Sequence, residues 1–198
     1  RVFNEIFTLF NFERKFFERE GLKSTFIGHP ISIIEESNYA NNAKNLIAFL
    51  PGSRENEIKK LFPYLEYIYD YLLSNNVIDY KIFIPTLPHL IDKLTHLTKN
   101  WKIDTIISVN NKKNEKLYKD VFISVTCSGT ASLEISKRLI PQIVFYKLNS
   151  LTYFIFSFLV SVRFANILNI LSNKMIIKEV VNRSLNKKNL LEAFDILL

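Results

Sequence analysis

The chain has 198 residues, 48% of them hydrophobic and 23% charged, with a formal net charge of +7 and one cysteine, Cys127. That apolar content supports one sizeable α/β domain, or one and a half small ones, and excludes wholesale disorder. A lone cysteine excludes a disulfide framework and fits a reducing cytosol, while the basic balance points to an anionic partner: nucleic acid, phosphates or an anionic membrane surface. Lys, Asn, Ile and Phe are heavily used together, a bias that AT-rich coding produces by itself, so the charge is weak evidence. No signal-peptide pattern stands at Arg1, and the expectation is that processing or truncation removed whatever came before.

Residues 1–20 alternate aromatics and charges and read as an extended piece followed by a short helix that Gly21 ends. Thr25 to Pro30 reads as a strand broken at Gly28, with Pro30 holding His29 out of helix. His29 is either a ligand or base, or a structural hydrogen-bonder. Ser37 to Lys44, polar and asparagine-rich, is the linker candidate. Leu46 to Leu50 is a buried strand running into Pro51-Gly52-Ser53-Arg54. Ile58, Leu61, Phe62, Leu65, Ile68, Tyr69 and Leu72 then fall at helical spacing, and Pro63 inside them predicts a kink or two short helices. Arg54 sits badly at the positive end of that helix unless an anion occupies the turn; the plain alternative is a solvated side chain.

Tyr80 to Pro85 is the next strand, Pro88 to Thr98 a helix carrying His89 and His96, and Ile103 to Val109 a further strand. No Cys, Asp or Glu joins the two histidines at metal-ligand spacing. Asn110 to Lys119 reads as a solvated helix. Val121 to Val125 is a strand apolar enough to be buried on both faces. It stops at Thr126-Cys127-Ser128-Gly129-Thr130, and Ala131 to Arg138 reads as a helix with Ser128 or Thr130 as its N-cap.

Strand, small-residue turn and helix N-terminus together make an anion site, with Glu134 placed for hydroxyls such as those of a ribose. The plain alternative is a capped turn with no ligand. Pro141 to Tyr146 is another strand, ending in Lys147. Leu148 to Val162 carries no charge, is too short for the roughly 20 residues that cross a bilayer, and reads as a helix apolar on both faces. Arg163 to Asn169 is predicted as a turn, Met175 to Val181 as an apolar run, and Asn186 to Leu198 as a closing helix. The rhythm predicts an α/β fold with a doubly wound parallel sheet and ligands at the carboxyl ends of its strands.

Several motifs are absent. There is no G-x-G-x-x-G, no G-x-x-x-x-G-K-[ST] and no G-x-S-x-G around Ser128. No Asp-x-Asp pair occurs, so no metal and no cofactor is expected, and a bound diphosphate would rely on N–H groups and cations of the chain. Basic residues are not interleaved with aromatics as in a nucleic-acid module, so no nucleic-acid partner is expected.

Leu50-Pro51-Gly52-Ser53-Arg54 followed by Glu57-Ile58 resembles the LPGSR-x-x-E-I signature of the lipid-A-disaccharide synthases. Ser128 to Glu134 is similar to that family's SGTATLE. Pro141 to Lys147 with Leu151-Thr152 resembles its P-x-V-V-x-Y-K…LT segment, and Phe26 to Pro30 its FVGHP. Asn11-Phe12-Glu13, Phe164-Ala165-Asn166 and Lys178 to Asn182 stand where the family has PFE, LPN and PE-x-x-Q.

The resemblance implies the C-terminal domain of a GT-B glycosyltransferase, Rossmann-like, with residues 1–40 an inter-domain segment and 41–198 the UDP-sugar-binding domain. It implies transfer of 2,3-diacylglucosamine from UDP to 2,3-diacylglucosamine 1-phosphate in lipid A biosynthesis, peripherally at the cytoplasmic face of the inner membrane. The implied substrate-binding residues are Gly52, Ser53, Arg54, Ser128, Gly129, Thr130, Glu134, Tyr146, Lys147, Asn166 and Glu179. The catalytic base is expected in an N-terminal domain that these residues do not include, so the chain reads as a fragment or one half of a split gene, with that half or a second copy as partner. An inactive nucleotide-sugar-binding remnant and half of another UDP-sugar enzyme, such as a 2-epimerase, are the alternatives.

Overall fold

A computed structural model describes residues 3–33, 45–75, 79–147 and 164–198, and the chain divides into two units, Arg1–Glu36 and Ser37–Leu198. In the first unit, strands β1 (Glu5–Thr8) and β2 (Lys23–Phe26) pair in parallel and helix α1 (Asn11–Arg19) makes the crossover that a parallel pair requires. Glu13 closes the start of α1: its carboxylate accepts from the N–H groups of Leu9 at 3.0 Å and Phe10 at 2.9 Å. His29 stacks on Phe10, with centroids 5.2 Å apart, and its Nδ1 accepts from the N–H of Ile31 at 3.1 Å. This is the structural hydrogen-bonding role.

The second unit is a six-stranded parallel sheet flanked by helices, an α/β Rossmann-like arrangement. Its strands are β3 (Leu46–Leu50), β4 (Lys81–Pro85), β5 (Thr105–Ser108), β6 (Val121–Cys127), β7 (Gln142–Tyr146) and β8 (Lys178–Val181), in spatial order β5-β4-β3-β6-β7-β8. The first three strands step outward one way from the centre and the last three step the other way. The reversal lies between β3 and β6, which pair with Leu50 opposite Thr126.

Six helices belong to this unit among the described residues: α2 (Glu55–Ser74), α3 (Ile91–Thr98), α4 (Asn111–Tyr118), α5 (Thr130–Lys137), α6 (Ile167–Ser172) and α7 (Lys187–Leu197). Because strand side chains alternate, β3 feeds both faces. Ile47 and Phe49 join Ile58 and Leu65 of α2, Leu94 of α3 and Phe194 of α7 in one core. Leu46, Ala48 and Leu50 join Phe83, Tyr118 of α4 and Ile135 of α5 in the other. Both faces are covered, which is why the central strands read as unbroken apolar runs.

Several expectations are corrected. Of the two outcomes expected at Pro63, a kink or two short helices, the second does not occur: α2 runs through Pro63 as one helix. Pro63 is exposed, while Ile58, Leu61, Leu65 and Ile68 on either side of it are buried against the sheet, and that packing offsets the one lost helical hydrogen bond. The segment read as a turn over residues 163–169 starts α6 at Ile167, because Asn166 caps it. The apolar run ending at Val181 holds the edge strand β8. A 3₁₀ turn, Pro88–Leu90, precedes α3, so His89 lies outside that helix; both His89 and His96 are exposed. The predicted linker over residues 37–44 and the apolar helix predicted over residues 148–162 lie outside the described residues. No described helix is long and apolar enough to cross a membrane.

Candidate functional site

The first strand-to-helix junction is held by Glu57. One turn into α2, its Oε2 accepts from the N–H of Ser53 at 3.0 Å and of Arg54 at 3.3 Å, and its Oε1 accepts from Arg54 Nη1 at 2.8 Å. The N-terminal amides of α2 and the Arg54 charge thus share one carboxylate, so Arg54 is tolerated at the positive helix end with its own counter-charge. The Arg54 side chain remains 78% exposed. Gly52 makes this possible: its φ is +113°, and an added Cβ would stand 2.6 Å from Glu57 Oε2.

The second junction departs from expectation in its cap. Neither Ser128 nor Thr130 caps α5; Gly129 occupies the N-cap position with φ 138° and ψ −156°. That backbone region is essentially reserved for glycine. Ser128 Oγ donates instead to the carbonyl of Ala165 at 3.1 Å, and Thr130 is the first helical residue. The N–H groups of Gly129, Thr130 and Ala131 precede the first bond within α5, from the Ser132 N–H to the Gly129 carbonyl at 3.2 Å, and the helix dipole adds positive potential there.

Because β3 and β6 are neighbours and run parallel, both junctions open at the same sheet end. Between them lies a cavity of about 510 Å³, within the range typical of small-molecule sites. Gly52, Ser53, Arg54 and Glu57 line one side; Ser128, Gly129, Thr130 and Glu134 line the other. Leu87 after β4 and Asn114 and Tyr118 of α4 extend the wall.

The charges around it are ordered. Arg138 is buried, its Nη1 donates to the Glu134 carbonyl at 3.0 Å, its Nη2 pairs with Glu115 at 2.5 Å, and its guanidinium lies 4.4 Å from the Tyr118 ring centroid. Burial raises the Tyr118 hydroxyl well above the usual tyrosine value, with Arg138 opposing. Burial also pushes the Cys127 thiol up to about 12, Glu57 adding to the shift and Arg54 opposing it. Tyr146 is raised as well, first by burial and then by Cys127 and Glu57.

The cavity therefore unites Gly52, Ser53, Arg54, Ser128, Gly129, Thr130 and Glu134. The other four predicted residues are not in its wall. Tyr146 ends β7 half-buried, and Lys147 Nζ donates to Tyr64 Oη at 3.1 Å. Asn166 and Glu179 are buried, and Asn166 is bonded to Ser132 of the second junction. Glu57, Arg138 and Asn114 were not assigned as site residues from the sequence. The spacing of Glu57 three residues after Arg54 is a legible capping signal; nothing in the sequence pairs Arg138 with Glu115. Among the described residues, no group of three or more His, Cys, Asp or Glu side chains is placed to hold a metal ion.

The family model described as lipid-A-disaccharide synthetase matches residues 1–198. The lipid-A-disaccharide synthase of Acinetobacter baylyi is 29% identical over 219 aligned residues, covering 98% of this chain and 53% of that protein. That of Paramagnetospirillum magneticum is 28% identical, covering 100% of this chain and 53% of its own length. That of Psychromonas ingrahamii is 29% identical, covering 94% and 52%. The chain spans about half the length of the curated relatives it matches. With its signature residues gathered in one cavity and the family model covering every residue, the chain belongs to the lipid-A-disaccharide synthetase family.

Proposed function

We propose that this chain is the donor-binding half of a glycosyltransferase of lipid A biosynthesis, with residues 41–198 the UDP-sugar domain and residues 1–40 an inter-domain segment. The observation that carries the reading is the single cavity into which the switch between β3 and β6 brings both signature junctions. In open α/β sheets this crevice is where nucleotides bind. In this reading the diphosphate of UDP-2,3-diacylglucosamine lies on the opening amides of α5, Arg54 supplies an exposed cation, and Glu134 accepts hydrogen bonds from the ribose hydroxyls. Tyr146 and Lys147 border the sugar, and Asn166 and Glu179 act from behind the turn.

Transfer breaks the bond between the anomeric carbon and the phosphate oxygen, and UDP leaves with the electron pair. The hydroxyl of 2,3-diacylglucosamine 1-phosphate forms the new bond and gives up its proton to a base outside this cavity. Arg54 and the α5 amides stabilise charge as it develops on the leaving diphosphate. Such lipid substrates place the working protein at the cytoplasmic membrane surface, and the net charge of +7 suits anionic headgroups. Calorimetric titration with UDP tests the core of the reading. Saturable 1:1 binding is expected, and absence of binding at millimolar UDP overturns it.

A further inference from the structure

A chain of buried polar groups stands behind the 128–130 turn. Glu179 on β8 has both carboxylate oxygens occupied: Oε2 accepts from the N–H of Ala165 at 2.7 Å, and Oε1 from the N–H of Asn166 at 2.9 Å and from Asn169 Nδ2 at 2.6 Å. The backbone at 165–166 is thereby fixed to the sheet edge. Asn166 then divides its amide between two tasks. Its Oδ1 accepts from the N–H groups of Leu168 at 2.8 Å and Asn169 at 3.4 Å, which caps α6. Its Nδ2 donates to Ser132 Oγ at 3.0 Å.

Ser132 passes the contact on. Its Oγ donates to the Gly129 carbonyl at 2.7 Å, alongside its own N–H at 3.2 Å. Ser128 Oγ returns the connection by donating to the Ala165 carbonyl at 3.1 Å. Gly129 needs such support. Its φ of 138° and ψ of −156° suit glycine alone, and glycine is the residue least able to hold a conformation by itself. Asn166 and Ser132 are both buried, where a hydrogen bond is strong and an unpaired group costly.

We infer that Asn166 is a positioning residue for the turn: through Ser132 it holds the Gly129 carbonyl, and so sets where the opening amides of α5 stand in the cavity wall. Its effect on ligand binding rests on the proposal that this turn receives the diphosphate. Asn166 touches no ligand in this arrangement; it acts through Ser132. Two stretches far apart in sequence, Ser128–Ser132 and Ala165–Glu179, thus serve one turn.

Two variants test this in the full chain. Asn166→Asp keeps Oδ1 for the α6 cap but turns an acceptor toward Ser132, which competes with Gly129 for the single hydroxyl proton. Ser132→Ala removes the relay and leaves the cap untouched. Amide hydrogen exchange without ligand should quicken in both variants at residues 128 and 132, whose N–H groups are bonded to the carbonyls of Phe145 and Gly129, and in Ser132→Ala exchange at Leu168 and Asn169 should stay unchanged. Calorimetry should show UDP weakened about tenfold, with uridine changed less than about twofold. Unchanged exchange at residues 128 and 132 in Ser132→Ala overturns the inference, whatever Asn166→Asp does and whether or not it folds. If the unaltered chain binds no UDP while exchange still quickens, the diphosphate reading falls and the positioning role stands.

Discussion

The Glu57 carboxylate rests against Gly52 so closely that a Cβ on Gly52 would meet Oε2 at 2.6 Å and the Glu57 Cβ at 2.9 Å. The glycine and the glutamate of the first junction are one device. The missing side chain admits a carboxylate that closes α2 and holds Arg54. Gly52→Ala should therefore lower stability by roughly 1–3 kcal/mol, from a strained φ and a displaced cap. Urea denaturation would measure it, and a midpoint equal to that of the unaltered chain would show that Glu57 relaxes without cost.

Arg54 is held by Glu57 yet mostly exposed, so its ion pair contributes about 0–1 kcal/mol to stability. Arg54→Ala should move Tm by no more than about 4 °C. It should weaken UDP much more than uridine, since only UDP offers the diphosphate. Equal losses for the two ligands would remove Arg54 from the phosphate site.

Glu134 lines the cavity one turn inside α5, beyond the turn at residues 128–130. Hydrogen bonds to a charged group contribute about 1.5–3 kcal/mol, so Glu134→Ala should weaken UDP about tenfold or more. The same substitution should weaken uridine comparably, which separates it from Arg54→Ala. An unchanged UDP affinity by calorimetry would end the ribose role.

Cys127 and Tyr118 predict a loss of stability in alkali. Burial raises both groups in the folded chain, the thiol from near 9 to about 12. A folded-state value above the unfolded one means that the stabilisation is full below pH 9 and is lost as pH rises from 9 towards 12. Each group contributes a slope of at most about 1.4 kcal/mol per pH unit. Cys127→Ala should flatten the pH dependence of the urea midpoint between pH 9 and 10.5 and leave the tyrosine share. Superimposable profiles for the two proteins would contradict the buried-thiol account.

In the donor-half proposal the residues gathered in the cavity all serve the donor. A base within about 2.6–3.2 Å of the acceptor hydroxyl is also needed for transfer, and losing base catalysis costs 10²–10⁴-fold. The purified 198-residue chain should bind UDP without forming disaccharide, and activity should appear only when the remainder of a relative's length is supplied. Disaccharide formation by this chain alone at an ordinary enzymatic rate would refute the donor-half proposal.

Local chemistry made much of this legible. Apolar runs of strand length such as Leu46–Leu50 and Val121–Val125 read as strands buried on both faces, and the 3.6-residue spacing from Ile58 to Leu72 reads as a helix against them, as the structure has them. The glycines at 52 and 129 mark backbone turns by themselves, and the four signature stretches pointed to the family. The caps were less legible. Whether Ser128, Gly129 or Thr130 begins α5 depends on where Ser128 Oγ finds a partner, and that partner is Ala165, far along the chain. The apolar run ending at Val181 became a strand only because β7 offered an open edge to pair with.

By itself, then, the sequence determined most of the strands and helices up to β7 and which turns could receive an anion, because side-chain periodicity and glycine's backbone freedom act within a few residues. Only the tertiary structure decided that the two turns face one cavity. That follows from strand order: β6 pairs with β3 rather than with its chain neighbour β5, and this places Arg54 across from Ser128. The contact of Asn166 with Ser132 and the pairing of Arg138 with Glu115 arise in the same way. Such contacts form between side chains distant in sequence, where burial makes each unpaired polar group costly and so selects the partner within reach.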